Sequence, residues 1–98
     1  MIGVLVVDDH AVVREGLELL LERFDGIECV GVAADGAEAV ACVRAVQPDV
    51  VLMDLMMPGM DGVEATRQVT ASSPSPAVVV LTTFADRRHV IDAIDAGA

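Results

Sequence analysis

A doubly wound α/β domain built on a parallel sheet is the fold class this chain predicts, and three observations carry the prediction. Apolar pulses rich in β-branched residues run continuously instead of alternating, as in strands covered on both faces. Amphipathic helical stretches separate the pulses, so strand and helix alternate four times. The links between them are short and marked by Asp, Gly or Pro, as right-handed crossovers require. Ninety-eight residues leave room for one core, and 54% of them are hydrophobic. Phe24 and Phe84 are the two aromatic residues, so the core is aliphatic.

The elements follow in order. Ile2–Val7 reads as the first strand, closed by Asp8-Asp9. Val13, Leu17, Leu20 and Phe24 then repeat at helical spacing, opposite Arg14, Glu15, Glu18 and Glu22, and are expected to face inward. Ile27–Ala33 is the second strand. Asp35 precedes a helix with Ala39, Val40, Val43 and Val46 on its inner face, stopped by Gln47-Pro48. Residues 50–53 form the third strand. A third helix after Asp61 turns Val63, Thr66 and Val69 inward and ends in the Ser- and Pro-rich stretch 72–76. Ala77–Leu81 is the fourth strand, and a helix after Asp86 carries Val90, Ala93, Ile94 and Gly97 on one side. No internal repeat or low-complexity tract interrupts this order.

Charge narrows the function. Sixteen acidic against six basic residues give a net charge of −10, and every basic residue is Arg. Nucleic acid and anionic membranes need clustered positive charge, so neither is expected to bind this piece. The acidic excess suits a cation or a partner with a basic surface. The opening apolar run is far shorter than the ~18 residues of a membrane span and lacks a basic leader. Cys29 and Cys42 do not make a disulfide framework, and the expected location is the cytoplasm.

In open parallel sheets, ligands bind beyond the carboxyl ends of the strands. Asp8, Asp9 and His10 follow the first strand, Asp54 the third, and Thr82 and Thr83 the fourth. Three carboxylates and a hydroxyl should therefore meet in one crevice. Three adjacent carboxylates need a counter-charge, and Mg²⁺, which takes one or two carboxylates with water and phosphate, supplies it. The glycine-rich turns that cradle dinucleotides or nucleoside triphosphates are absent from the sequence. Metal plus one phosphoryl group is the chemistry that fits. Asp35, Asp61 and Asp86 read as helix caps. Met53, Met56, Met57 and Met60 read as packing and loop residues in preference to a thioether copper site. The cysteines read as small buried hydrophobes, and His10 and His89 as flanking residues without a second ligand at metal spacing. Arg87-Arg88, at a helix start where the dipole disfavours cations, read as a solvated face with docking as the alternative.

The sequence closely resembles the receiver domain of two-component response regulators, in particular the NarL/FixJ-like class. The resemblance rests on Val7-Asp8-Asp9-His10 with Val13-Arg14-Glu15-Gly16-Leu17. It continues through Pro48-Asp49-Val50-Val51-Leu52-Met53-Asp54-Leu55 and Met57-Pro58-Gly59-Met60-Asp61-Gly62, then Val80-Leu81-Thr82 and Ala96-Gly97-Ala98. It implies a flavodoxin-like sheet of order 2-1-3-4-5. It implies that Asp54 accepts a phosphoryl group from a sensor histidine kinase, and that Asp9 ligates Mg²⁺ directly while Asp8 acts through a metal-bound water. The backbone carbonyl of Met56 corresponds to a further metal ligand, and Thr82 to the hydroxyl that grips the phosphoryl group. Such a chain catalyses only its own phosphorylation and dephosphorylation. DNA would be contacted only through a separate C-terminal domain.

The family also places a lysine after a fifth strand, and this sequence contains no lysine. The expectation is a receiver domain over residues 1–98 that is incomplete at its C-terminus, lacking the fifth strand and helix. Ala77–Leu81 would then be an open sheet edge that invites pairing with another chain, a homodimer among the outcomes. Two other functions compete. A haloacid-dehalogenase-type hydrolase needs a general acid two residues beyond its aspartate, where this chain has Met56. A pseudo-receiver that binds partners without phosphorylation is the stronger alternative, because of the missing lysine.

Overall fold

In the computed structural model, which describes residues 1–71, 73–81 and 87–98, four strands and four helices alternate along the chain. They are β1 (Ile2–Val7), α1 (Ala11–Leu21), β2 (Ile27–Ala33), α2 (Gly36–Val46), β3 (Val50–Asp54), α3 (Gly62–Thr70), β4 (Ala77–Leu81) and α4 (Arg87–Asp95). The strands pair in parallel in the order β2-β1-β3-β4, as expected of the doubly wound class.

Register is what positions the crevice. Val7 pairs with Ala33 on one side and with Met53 on the other. Asp8 and Asp54 are therefore the next residues on adjacent central strands. Asp54 in turn pairs with Leu81, one residue before Thr82. Thr82, Thr83, Phe84 and Asp86 lie outside the described residues.

The core lies between the sheet and helices α2 and α3. Leu5, Val7, Val51, Met53 and Val78 meet Ala39, Val40, Val43, Ala65 and Val69 there. Burying one such aliphatic side chain is worth about 1.5–3 kcal/mol. Both helices start on the expected aspartates: Asp35 Oδ1 accepts from Glu38 N at 2.8 Å, and Asp61 Oδ1 from Glu64 N at 3.0 Å. Gln47 closes α2 in the left-handed conformation just before Pro48. Val46, placed inward by sequence, is exposed at that end.

Two helix faces differ from expectation. No α1 residue is buried, and Val13, Leu20 and Phe24 are each about half exposed. The sheet-facing side of α1 runs instead through Arg14, Leu17, Glu18 and Leu21. α1 packs mainly against β1 and β2, and no helix among the described residues packs closely along its flanks. On α4, Ala93 and Ala96 are buried while Val90 and Ile94 face outward. The cause is close approach: Thr70 Oγ1 donates to Ala96 O at 2.8 Å, and a Cβ on Gly97 would stand 2.5 Å from the same Thr70 hydroxyl. Small residues make this seam with α3, whereas periodicity scoring favours the large ones.

The sulfur-bearing residues sort as packing does. Met53 and Met57 are buried, Met60 packs against the core, and Met56 is exposed. Cys29 and Cys42 are free thiols, half-buried rather than fully enclosed. Burial pushes the Cys29 thiol up from its ordinary range.

Candidate functional site

Asp8, Asp9, His10 and Asp54 gather at the carboxyl ends of β1 and β3, where each offers one ligand atom within 4.8 Å of all the others. The expected convergence of three carboxylates is what the fold produces. Asp8 is held by the sheet and by α1: its N–H donates to Ala33 O at 3.1 Å, and Arg14 Nη1 donates to its carbonyl at 2.8 Å. Asp8 is 8% exposed, so the loop it begins is well anchored.

Asp54 ends β3 with its carboxylate half-buried. Its Oδ1 accepts from Met56 N at 3.0 Å, fixing the turn that leads into the exposed Met56 side chain. Burial, set against that hydrogen bond, pushes the Asp54 carboxyl above its ordinary range, and the Asp8 and Asp9 charges push it further. Behind it stands Gly62, where a Cβ would overlap Asp54 O and stand 2.5 Å from Leu55 Cα. Any side chain at position 62 would drive the backbone of Asp54 and Leu55 out of place.

His10 is a site residue that sequence reasoning missed. Its Nδ1 lies 3.0 Å from Asp8 Oδ1 and 3.1 Å from Asp9 Oδ1. The hydrogen bond to Asp8 raises its pKa first and the Asp9 charge second. Spacing in the chain gave no signal, because His10 adjoins the carboxylates in sequence and the fold turns its ring back onto them. Arg14 was likewise assigned to a solvent face, yet it reaches back to Asp8.

Asp9 supplies the test of whether a cation fits. Its Oδ1 is fully buried with no hydrogen-bond donor among the described residues. His10 Nδ1 stands 3.1 Å from that oxygen without making a hydrogen bond to it. A carboxylate oxygen turned inward without a donor is free to meet a cation. The oxygen-rich donor set fits a hard divalent ion such as Mg²⁺.

Beside the site, Leu55, Met56, Met57, Asp61 and His89 line an open cavity of about 340 Å³. No helix among the described residues is long and apolar enough to cross a membrane.

A four-stranded parallel sheet with an acidic crevice at its carboxyl edge defines the class of α/β signalling receivers, and the crevice is consistent with a phosphorylation site. The chain belongs to the response regulator receiver domain family, which residues 4–98 match. Among curated proteins it is 49% identical over 98 residues to the transcriptional regulatory protein LiaR of Bacillus subtilis, covering 100% of this chain and 46% of LiaR. The chain thus spans about half the length of the curated relatives it matches. Among solved structures, the receiver domain of the putative response regulator NarL from Mycobacterium tuberculosis superimposes with a TM-score of 0.89. That match has 36% identity and covers 99% of this chain and 78% of the other. The CheX–CheY–BeF₃–Mg²⁺ complex of Borrelia burgdorferi gives 0.88 at 26% identity, covering 98% and 72%. Relatives on both sides of the comparison support the NarL-like class.

Proposed function

We propose that this chain accepts a phosphoryl group on Asp54 from a sensor histidine kinase, with Mg²⁺ bound by Asp8, Asp9, Asp54 and the backbone carbonyl of Met56. The observation that carries this reading is the orphaned Asp9 Oδ1 beside Asp54, where the sheet brings three carboxylates together. A Mg²⁺ complex of a related CheY, with beryllofluoride in place of phosphate, supports the same assignment.

Residue roles follow from the hydrogen bonds. Asp54 Oδ1 is engaged by Met56 N–H, so Oδ2 is the nucleophile. It forms a bond to phosphorus as the phosphorus–nitrogen bond of the donor's phosphohistidine breaks, and the imidazole leaves. The metal, when bound, neutralises charge on the transferring group. Asp9 and Asp8 hold it, and Arg14 and the β1–β2 pairing keep both carboxylates in register. Thr82, one residue past Leu81, is assigned the hydroxyl that grips the phosphoryl oxygens after transfer. The new charge changes partner contacts, and transcription is controlled through a DNA-binding domain outside this chain.

Incubation with acetyl phosphate and Mg²⁺ tests the reading. Acid-labile phosphate should appear on the parent and vanish in Asp54→Asn. Labelling that survives the substitution would refute the assignment. No labelling of the parent, with partner binding retained, would instead favour a pseudo-receiver.

A further inference from the structure

We propose that His10 is an additional, nitrogen-donating ligand of the crevice, so that this site takes a borderline divalent transition-metal ion such as Zn²⁺ in competition with Mg²⁺. The inference rests on the metal site assigned above and adds a specificity-determining residue to it.

The argument begins with distances. Two donors each ~2.1 Å from one ion stand ~3.0 Å apart on an octahedral edge and ~3.4 Å apart on a tetrahedral one. His10 Nδ1 is 3.0 Å from Asp8 Oδ1 and 3.1 Å from Asp9 Oδ1. Each of these two spacings is that of neighbouring ligands on one ion. Asp54 contributes an oxygen to the same cluster, within 4.8 Å of the nitrogen. The His10 backbone is tied to the same carboxylate, since its N–H donates to Asp8 Oδ1 at 2.8 Å.

The chemistry then discriminates between ions. Mg²⁺ prefers oxygen ligands and keeps its waters, so it gains little from an imidazole. Zn²⁺ is held well by imidazole nitrogen together with carboxylate oxygen. In the metal-free crevice the Asp8 carboxylate can only accept, so the ring nitrogen facing it, Nδ1, is the protonated one. On metal binding the neutral ring shifts its proton to Nε2, and Nδ1 presents a lone pair to the ion. No redox change or co-reactant is required.

The experiment uses Zn²⁺ and Mg²⁺ themselves. In protein labelled with ¹⁵N-histidine, Zn²⁺ should move the His10 Nδ1 resonance into the range of metal-bound nitrogen, and excess Mg²⁺ should reverse the shift. By calorimetry, His10→Ala should lower the ratio of Zn²⁺ to Mg²⁺ affinity at least tenfold. His10→Gln, which retains an amide donor for Asp8 but no imidazole, should lower it as far. A ratio unaltered by His10→Ala, a ratio retained by His10→Gln, or a Zn²⁺ response in His89 without one in His10 would each overturn the proposal. Parent protein that binds neither ion would refute the metal site itself, a failure distinct from one confined to His10.

Discussion

Replacing Asp54 by Asn should make the metal-free protein more stable, because the crevice is a cluster of like charges. Its ligand atoms lie within 4.8 Å of one another. At that separation two unit charges repel by about 0.9 kcal/mol in bulk water and about 3.5 kcal/mol at an effective dielectric of 20. Asp54 and Asp9 are half-buried, so solvent and salt hold the interaction near the lower figure for each partner. The His10 ring, which attracts the carboxylate when protonated, offsets a further part. A net gain of about 1–2 kcal/mol remains, or about 4–8 °C in Tm for each kcal/mol in a domain of this size. The sign with pH is fixed by the upward shift of the Asp54 pKa. Its contribution to stability is fully present below the ordinary carboxylate pKa and is lost as pH rises through the raised folded-state value. The advantage of the Asp54→Asn variant over the parent should thus open as pH climbs out of the acid range and close as it falls back. Saturating Mg²⁺ should shrink it, by stabilising the parent more than the variant. Circular-dichroism melts from about pH 4 to 8, in chelator and in Mg²⁺, measure all of this. A variant melting at or below the parent at neutral pH in chelator would refute the reasoning.

Four further outcomes are expected. Asp9→Ala should weaken Mg²⁺ binding at least tenfold in a calorimetric titration, since it removes the buried oxygen that lacks a donor among the described residues. Gly62→Ala should cost about 2–3 kcal/mol by denaturant unfolding, because a Cβ there overlaps the backbone of Asp54 and Leu55. Asp61→Ala should cost about 1 kcal/mol in the same assay, through loss of the Glu64 N–H cap on α3. Met56→Asn should speed loss of acid-labile phosphate, since an apolar side chain at the crevice mouth cannot orient water and an amide can; unchanged or slower decay would discard that idea.

The strands were legible because their signal is local. Continuous Val, Leu and Ile between Asp and Gly marks each one, and β1, β2 and β4 span the expected residues, with β3 extended by Asp54. Asp8, Asp9 and Asp54 were legible because a parallel sheet forces the residues after adjacent strands together. The faces of α1 and α4 were legible only in part: Leu17, Ala93 and Gly97 lie on the covered sides as expected, whereas Val13, Leu20, Val90 and Ile94 do not. Which side of an amphipathic helix is covered depends on its neighbours, and a small seam residue such as Ala96 carries almost no hydrophobic signal. His10 escaped because its role arises from the direction of a side chain, which no spacing encodes. Thr82 lies outside the described residues, and its role stays a proposal.

The start of α1 shows where this chain forgoes stability. His10 is its N-cap, yet its side chain bonds to none of the exposed N–H groups of the first turn, whereas α2 and α3 each begin on a capping aspartate. A serine at position 10 would cap α1 and is worth about 1 kcal/mol. It would also take the imidazole away from Asp8 and Asp9. Selection for a sturdier fold and selection for the chemistry of the crevice therefore pull on the same codon in opposite directions. Drift toward serine there would exchange the proposed ion preference for thermal tolerance in a single step, and a stability-guided redesign of this domain should leave that position alone.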